Sequence, residues 1–475
     1  MARAALSPLH RWLAPGVIWM LATAKPAAAH TTESGFVLLL PTGYYLAGGT
    51  LAVLITFFLV FLLPAQTLER FARARLPLGD IRLPPALTTS TVSCLILLIL
   101  LLAGFLGSRD PRANPLPLAV WSLWWGAFPF LQAALGDLWR RCNPFMAPYR
   151  LIARDKPVLT YPSWLGHWPA VLGYLCFTWF ELVDLAPDDP ARLAKAILLY
   201  GGGTLAAMYL FGAEIWLSRG DPFSLFLRLV AHLSPIVCLA RDDGQPDRRA
   251  LALCWPGAQL FDLKPLPVSG VVFVLLTLSA ISFDGLNKTF WWLSLGGINP
   301  LEFPGRSAVI WLNTLGILGL WLLLVAAYLG AILVGRCINP ALRFGHAAGL
   351  LVVSIMPISL GYHFSHYLTF LLVDLQYAAK AIADPFALSW NLFGLGHYHV
   401  TTSFLSHYHS VVTIWNLQAG ATVLGHLVAV AVAHVLNARL GGDRWRAPFG
   451  QIPLAALMVL YTLFGLWLLA APKAG

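Results

Sequence analysis

The sequence predicts an all-α integral membrane protein, a polytopic bundle of about ten transmembrane helices. Of the 475 residues, 58% are apolar and only 11% are charged, and the mean hydropathy is +0.72. Apolar runs of about twenty residues, the length that crosses a bilayer as a helix, recur along the chain. Arginine and lysine lie in the short connections between those runs, so the net charge of +10 reflects membrane topology and not nucleic-acid binding. The sequence therefore predicts that the outer surface of the bundle contacts the lipid bilayer.

The start of the chain predicts a secretory signal peptide. A positively charged beginning precedes the apolar run 12–24, and alanines at 27–29 supply the small-residue pattern that signal peptidase cleaves. Cleavage there makes residues 1–29 the signal peptide and leaves His30 as the first mature residue. The alternative is an uncleaved first span.

Apolar runs fill the rest of the chain, and we interpret residues 30–475 as a single integral membrane domain. No connection is long enough to form a soluble domain. The six cysteines are scattered without a CxxC pair, which indicates neither a disulfide framework nor a thiolate metal site. The predicted spans lie near 43–64, 86–107, 117–136, 168–185, 195–217, 266–284, 308–333, 347–373, 410–436 and 452–471.

The distribution of arginine orients these spans. Alternate connections are rich in arginine, which predicts that they are cytoplasmic and that the mature N-terminus lies outside. In a Gram-negative cell this describes an inner-membrane protein whose connection 375–409 faces the periplasm. On the cytoplasmic side, the run 223–240 predicts an amphipathic helix with Asp221 as N-cap and Pro222 as first residue. The basic, aromatic run 140–154 predicts an interfacial segment.

Histidine is concentrated in one region, 361–434, which holds eight of the thirteen histidines. Two of them are three residues apart, a spacing that puts both rings on one face of a helix. Four others form two His-Tyr-His triplets, and in an extended segment alternate side chains point the same way. The histidines predicted to lie together at the outer face are His363, His366, His397, His399, His407 and His409.

The outer histidines predict a site for a divalent metal ion, zinc or copper. Neutral imidazole binds both metals, and His30 at a mature N-terminus offers its amine and its ring to one ion, a chelate that favours copper. Asp284 and Asp374 lie at the outer ends of their spans, where they can ligate that ion, orient a ligating imidazole or act in catalysis. The alternative is that the histidines hydrogen-bond to lipid headgroups and backbone, with an N-terminus that binds no ion.

Other polar groups lie inside the predicted spans, where charge is costly and must face protein or water. His426 and His434 lie roughly two turns apart on one helical face, and Glu181 and Asp184 share the fourth span. These residues form either a path through the bundle or hydrogen-bonded core contacts.

Six stretches form a distinctive set: LGDLWRRCNPF (135–145), YPSWLGHWPAVLGYLCFTWFELV (161–183), EIWLSRGDPFSLFLRLVAHLSP (214–235), SFDGLNKTFWW (282–292), DPFALSWNLFG (384–394) and GHLVAVAVAH (425–434). In this order, and across nearly the whole mature chain, they resemble the polytopic bacterial membrane proteins known as fenitrothion hydrolases. The resemblance implies hydrolysis of an organophosphorus triester, a small apolar substrate, to a nitrophenol and a dialkyl thiophosphate. It assigns no catalytic residue.

A metal site suits this chemistry, because a neutral triester with an aryloxide leaving group needs a strong nucleophile and a Lewis acid. The sequence therefore predicts a membrane-bound, metal-assisted triester hydrolase at the periplasmic face. Two alternatives stay open. One is a copper-handling or copper-dependent redox protein that depends on His30. The other is a transporter or accessory protein, with a possible second membrane subunit, that depends on Glu181, Asp184, His426 and His434.

Overall fold

The structure, a computed structural model, describes residues 40–154, 156–240, 248–302, 305–395, 398–441 and 448–474. Within these ranges nine helices are long and apolar enough to cross a membrane. The chain is thus an all-α, multi-pass membrane protein, as the sequence predicts. The signal peptide predicted at 1–29, together with His30 and His397, lies outside the described residues.

Ten helices organise the described part of the bundle, and we label them in chain order. They are α1 Thr42–Leu62, α2 Ala86–Leu106, α3 Pro115–Leu135, α4 Trp168–Leu182, α5 Pro190–Phe211, α6 Val268–Leu286, α7 Arg306–Ile338, α8 Phe344–Ala383, α9 Tyr408–Ala438 and α10 Phe449–Ala470. Shorter helical segments lie between them at Ala65–Ala72, Trp139–Cys142, Met146–Ile152, Ser163–Leu165, Ala213–Arg219, Pro222–Ala231, Ala258–Asp262, Phe290–Leu295, Pro300–Glu302 and Ser403–Ser406.

Helix α4 forms the fourth predicted span although it is short. Its 15 residues extend about 22 Å, less than the roughly 30 Å of a hydrocarbon core. At its start, the backbone N–H of His167 donates to Ser269 Oγ (2.9 Å), in the first turn of α6. At its end, Arg306 at the start of α7 donates to the carbonyl oxygens of Glu181 (2.9 Å) and Asp184 (3.1 Å). Helix α4 therefore connects the same two faces of the bundle as the long helices.

Helices α6 and α8 form the centre of the bundle. In their most apolar windows 83% and 78% of the residues are buried, against 17% in α1. Many of the exposed large apolar side chains lie on α1, α2 and α7, the surface expected to face lipid. Polar groups on α6 and α8 must consequently find their partners inside the bundle.

Helices α8 and α9 touch along their backbones, and two glycines permit the contact. A Cβ at Gly361 would lie 2.7 Å from the carbonyl oxygen of Ala421, and one at Gly425 would lie 2.6 Å from that of Pro357. Small residues at such crossings are typical of membrane helices. Within α8, a 3₁₀ turn at Val352–Ile355 precedes Pro357 and separates the first part of the helix from the second.

One small antiparallel sheet lies among the arginine-rich connections, and hydropathy gave no sign of it. Its strands are β1 Leu76–Arg82, β2 Ile236–Ala240 and β3 Arg248–Leu253, in the order β1-β3-β2. The prediction of a helix over 223–240 is therefore wrong in its second half. Pro235 explains the end of the helix, because proline has no N–H to donate and disfavours helical geometry in the residue before it.

The predicted beginning of that helix is confirmed. The helix runs over Pro222–Ala231, and Asp221 Oδ1 accepts a hydrogen bond from the backbone N–H of Ser224 (2.7 Å) as an N-cap. The hydroxyl of Tyr200 on α5 donates to the other carboxylate oxygen (2.5 Å). The cap thus fixes the short helix to a membrane helix.

An ionic network ties the end of α9 to the helix Ala65–Ala72. Glu69 Oε1 lies 2.9 Å from Arg73 Nε and also contacts Arg439, the residue after α9. Arg73 Nη1 lies 2.8 Å from Asp262 Oδ1. Burial raises the pKa of Glu69, but the hydrogen bonds from Arg439 and Arg73 outweigh it, so that this pKa lies below its ordinary value.

Candidate functional site

A group of polar side chains lies at the centre of the bundle, where α3, α4, α6 and α8 meet. Its members come from all four helices and are joined by hydrogen bonds or line a common cavity. We call this group the central polar cluster, and it consists of Trp125, Glu181, Asp284, His363, His366 and Tyr367.

The shortest link between α6 and α8 joins a carboxylate to an imidazole. Asp284 Oδ2 lies 2.7 Å from His366 Nε2, a distance typical of a hydrogen bond to an ionised group. The side chains of Asp284 and His366 are 16% and 28% exposed. The pair therefore lies within the bundle but is not sealed from its surroundings.

Tyr367 joins α8 to α3 and α4 through one oxygen atom. Its hydroxyl donates to Glu181 Oε1 (2.6 Å) and accepts a hydrogen bond from Trp125 Nε1 (2.7 Å). Because an indole N–H can only donate, the two hydrogen bonds run in one direction, from Trp125 through Tyr367 to Glu181. Glu181 is thereby held as a hydrogen-bond acceptor.

His363 has a structural partner that the local shape of α3 makes available. Residues Leu118–Ala127 form a π-helix, and Pro129 has no N–H to donate to the carbonyl of Trp125, four residues earlier. His363 Nε2 lies 2.9 Å from that carbonyl oxygen. A carbonyl only accepts, so Nε2 carries the proton. The spacing of His363 and His366 does place both on α8, but their Nε2 atoms bond to different helices, α3 and α6.

A small cavity lies inside the central polar cluster. The space open to the centre of a water molecule is about 10 Å³, close to what one water needs. Besides members of the cluster, three side chains with a hydroxyl group line it, those of Tyr174 on α4, Thr277 on α6 and Ser359 on α8. Ser359 is 5% exposed, and its Oγ has no hydrogen-bond partner among the described residues.

Asp374 lies apart from this cluster. It is seven residues beyond Tyr367 on α8, about two turns towards the arginine-poor face. Its carboxylate is 3.5 Å from Ser122 Oγ on α3, and it does not line the cavity. Of the two predicted aspartates, Asp284 therefore belongs to the cluster and Asp374 does not.

The predicted outer histidines are exposed where the structure describes them. His407 Nδ1 lies 2.7 Å from the carbonyl oxygen of Ser403, while His399 and His409 point to the surface. Among the described residues no group of three or more histidine, cysteine, aspartate or glutamate side chains could hold a metal ion. Because His30 and His397 lie outside those residues, the zinc or copper site stays a prediction.

The second His-Tyr-His triplet does not have the extended geometry expected of it. Helix α9 begins at Tyr408, so His407 is its N-cap residue and His409 lies in its first turn. Residues two apart on a helix do not face the same way. The expectation that His407 and His409 point in one direction is therefore wrong.

The intramembrane residues predicted as a path have separate local partners. His426 is fully buried with Nδ1 2.9 Å from the carbonyl oxygen of Thr422. His434 contacts Gln451 Oε1 (3.2 Å) and the carbonyl oxygen of Leu63 (3.0 Å). Asp184 pairs with Arg192 at 2.7 Å. Only Glu181 of the predicted path joins the central polar cluster.

Several residues of the site carried no signal in the sequence. Trp125, Thr277, Ser359 and Tyr367 have side chains that are common in apolar helices. Of these, only Tyr367 could have been suspected from the sequence. It lies four residues after His363, on the helical face that His363 and His366 share.

The chemistry that the central polar cluster can perform is proton transfer or the binding of something very small. Two carboxylates and an imidazole with an exposed edge can exchange protons, and the cavity admits about one water molecule. Pockets for drug-sized ligands are about 300–1,000 Å³, so a triester does not fit there. Searches against protein-family models, curated proteins and solved structures find no match for this chain.

Proposed function

We propose that this chain moves protons across its membrane as part of a transport cycle, with the Asp284–His366 pair as the group that takes up and releases the proton. The observation that carries the proposal is the 2.7 Å contact of these two side chains between the central helices α6 and α8. Ionisable groups at membrane depth are costly and mark ion or proton pathways. A contact that only packs two helices together would not require ionisable side chains.

Access to the pair is possible from the arginine-poor face. Asp284 lies two residues before the end of α6, and both partners are partly exposed. By the positive-inside rule this face is the outer one. We propose that the protein lies in the inner membrane of a Gram-negative cell, with the pair close to the periplasm.

A polar route continues from the pair towards the arginine-rich face. Thr277 precedes Asp284 by seven residues on α6, and Ser359 precedes His366 by seven on α8, about two turns or roughly 10 Å in each helix. Both hydroxyls line the cavity. Beyond Ser359, Ser354 adds a further buried hydroxyl to α8.

The break in α8 supports a transport cycle. A change of one proton alters the charge between α6 and α8, and the 3₁₀ turn before Pro357 lets the second part of α8 shift against the first. Helix breaks of this kind absorb the changes of angle in conformational transitions.

The test is potential-driven proton uptake into proteoliposomes, followed with a pH-sensitive dye inside the vesicles. Asp284→Asn keeps the shape of the side chain, but the amide cannot take up or release a proton. This variant should therefore abolish uptake. Asp374→Asn on α8 is the matched control and should retain it. Wild-type protein without uptake, or Asp284→Asn with wild-type uptake, contradicts the proposal.

The predicted triester hydrolysis is a second candidate, favoured by a different part of the surface. A groove of about 510 Å³ opens between α1, α9 and α10, lined by side chains that include Tyr44, Tyr45 and Asn416. His409 precedes Asn416 by seven residues, about two turns on the same face of α9. The groove has the size of a small-molecule site and opens sideways, where an apolar triester would arrive from lipid.

In this second proposal exposed histidines, His409 among them, would hold a zinc or copper ion, and that ion would supply an activated water and a Lewis acid. Nitrophenol release from a nitrophenyl phosphorothioate should then disappear on chelation and return with one of the two metals. His409→Ala should reduce it, whereas His346→Ala at the arginine-rich end of α8 should not. Release that persists after complete chelation contradicts the metal-assisted reaction.

A further inference from the structure

We propose that the cavity of the central polar cluster is a binding site for one monovalent cation of the size of Na⁺. The inference goes beyond proton movement, because it concerns a ligand that occupies the cavity at equilibrium. It rests on the oxygens that line the cavity, the charge around it and its size.

The hydroxyl of Ser359 is the first indication of a ligand. It is 5% exposed and has no hydrogen-bond partner among the described residues, and it lines the cavity. A buried hydroxyl without a partner costs about 1–3 kcal/mol. A cation in the cavity would give its oxygen a partner.

Thr277 presents a second neutral oxygen. Its hydroxyl donates its proton to the carbonyl of Val274, one turn earlier on α6 (2.8 Å). The oxygen lone pairs then remain for a cation or for another donor. The hydroxyls of Thr277 and Ser359 come from two helices and line one space, so a single ion can contact both.

Two carboxylates line the same cavity. Tyr367 hydrogen-bonds to one oxygen of Glu181, and His366 to one oxygen of Asp284, which leaves each carboxylate a second oxygen. Hard cations prefer such oxygen ligands. The cavity thus combines carboxylate and hydroxyl oxygens, the ligand set of an alkali or alkaline-earth ion.

The charge of the site favours a monovalent ion. With Glu181 ionised and the carboxylate of Asp284 paired with His366, which lies outside the cavity lining, one negative charge without an ion-pair partner faces the cavity, and one monovalent cation neutralises it. His363 also lines the cavity, where its Nε2–H donates to the carbonyl of Trp125. Three further charged side chains act on the two carboxylates, but none of the three lines the cavity. They are Arg306, Lys288 and Lys473.

The size of the site points to a small, dehydrated ion. The space of about 10 Å³ holds one ion or one water but not an ion with its hydration shell. Mg²⁺ keeps several waters, for which there is no room, and Ca²⁺ takes about six to eight oxygen ligands, more than the free carboxylate and hydroxyl oxygens of the lining supply. Na⁺ is therefore the predicted occupant.

The test is equilibrium binding of radioactive Na⁺ to the purified full chain in detergent, with choline as the replacement cation. Wild-type protein should bind one Na⁺ per chain. Ser359→Ala should weaken binding at least about ten-fold, equivalent to about 1.4 kcal/mol, and Thr277→Val should weaken it similarly. Ser279→Ala is the matched control, because Ser279 is also buried without a partner but does not line the cavity.

Three results would overturn the inference: no saturable Na⁺ binding by the wild type, equal binding by Ser359→Ala and Ser279→Ala, or displacement of Na⁺ by a lower concentration of Ca²⁺. Circular dichroism and gel filtration of each variant show whether it is folded. Binding is measured without a membrane potential or proton flux, so its failure is distinct from a failure of the proposed function.

Discussion

Replacing Tyr367 with phenylalanine removes one oxygen atom that joins three helices. The hydroxyl donates to Glu181 (2.6 Å) and accepts from Trp125 (2.7 Å). The aromatic ring stays, so its contacts with the rings of His363 and His366, at centroid distances of 4.5 and 5.0 Å, are retained. Tyr367→Phe therefore isolates the hydrogen bonds from the packing.

The expected loss of stability follows from the two bonds. Interhelical hydrogen bonds in membrane proteins contribute about 0.6 kcal/mol on average and at most about 1.7 kcal/mol. Tyr367→Phe breaks two hydrogen bonds between buried groups, so we expect a loss of about 2–3 kcal/mol. Tyr461→Phe is the control, because it breaks one bond, to Ser282 (2.7 Å), and Ser282 keeps its bond to the carbonyl of Leu278 (2.8 Å). We expect about 0.5–1 kcal/mol for the control.

The assay is reversible unfolding in mixed micelles by increasing amounts of dodecyl sulfate, followed by circular dichroism. Tyr367→Phe should unfold at a clearly lower dodecyl sulfate fraction than both the wild type and Tyr461→Phe. Equal losses in the two variants would refute the interpretation that Tyr367 organises the central polar cluster.

Two further predictions concern the contacts that hold the bundle together, and the same unfolding assay measures both. Because the folded-state pKa of Glu69 lies below its ordinary value, its contribution to stability is complete above the unfolded-state pKa of about 4.3 and is lost as the pH falls through the folded-state value. Glu69→Gln should thus destabilise the protein near neutral pH and much less in acid, and a loss that does not depend on pH would contradict the role of the Arg439 network. Gly425→Ala puts a Cβ 2.6 Å from a carbonyl oxygen and should cost about 1–3 kcal/mol, whereas Gly420→Ala meets nothing within 4 Å and should be neutral or stabilising by up to about 1 kcal/mol.

The crossings of the membrane could be predicted from the sequence because the bilayer leaves an apolar run little choice but to form a helix. Even the short α4 was visible as an apolar run between two polar connections. The sheet was not, because its pairing is not local: Leu76 of β1 pairs with Leu253 of β3. No pattern within either strand indicates the other.

The candidate site could be predicted only in part. Helical spacing placed His363 and His366 together on α8, and the position of Asp284 near the end of its span indicated a functional carboxylate. The partner of His363 could not be foreseen, because the carbonyl of Trp125 is presented by a π-helix and by Pro129 on another helix. The triplet at His407 was misjudged because the beginning of α9 decides the direction of its side chains.

The most direct test of the proposed proton exchange is infrared difference spectroscopy of the membrane-reconstituted protein between acidic and alkaline pH. We expect a carboxyl protonation signal that disappears in Asp284→Asn, persists in Asp374→Asn, and is accompanied by an imidazole signal that His366→Gln removes. A spectrum of Asp284→Asn identical to that of the wild type would show that Asp284 exchanges no proton and would contradict the proposed function.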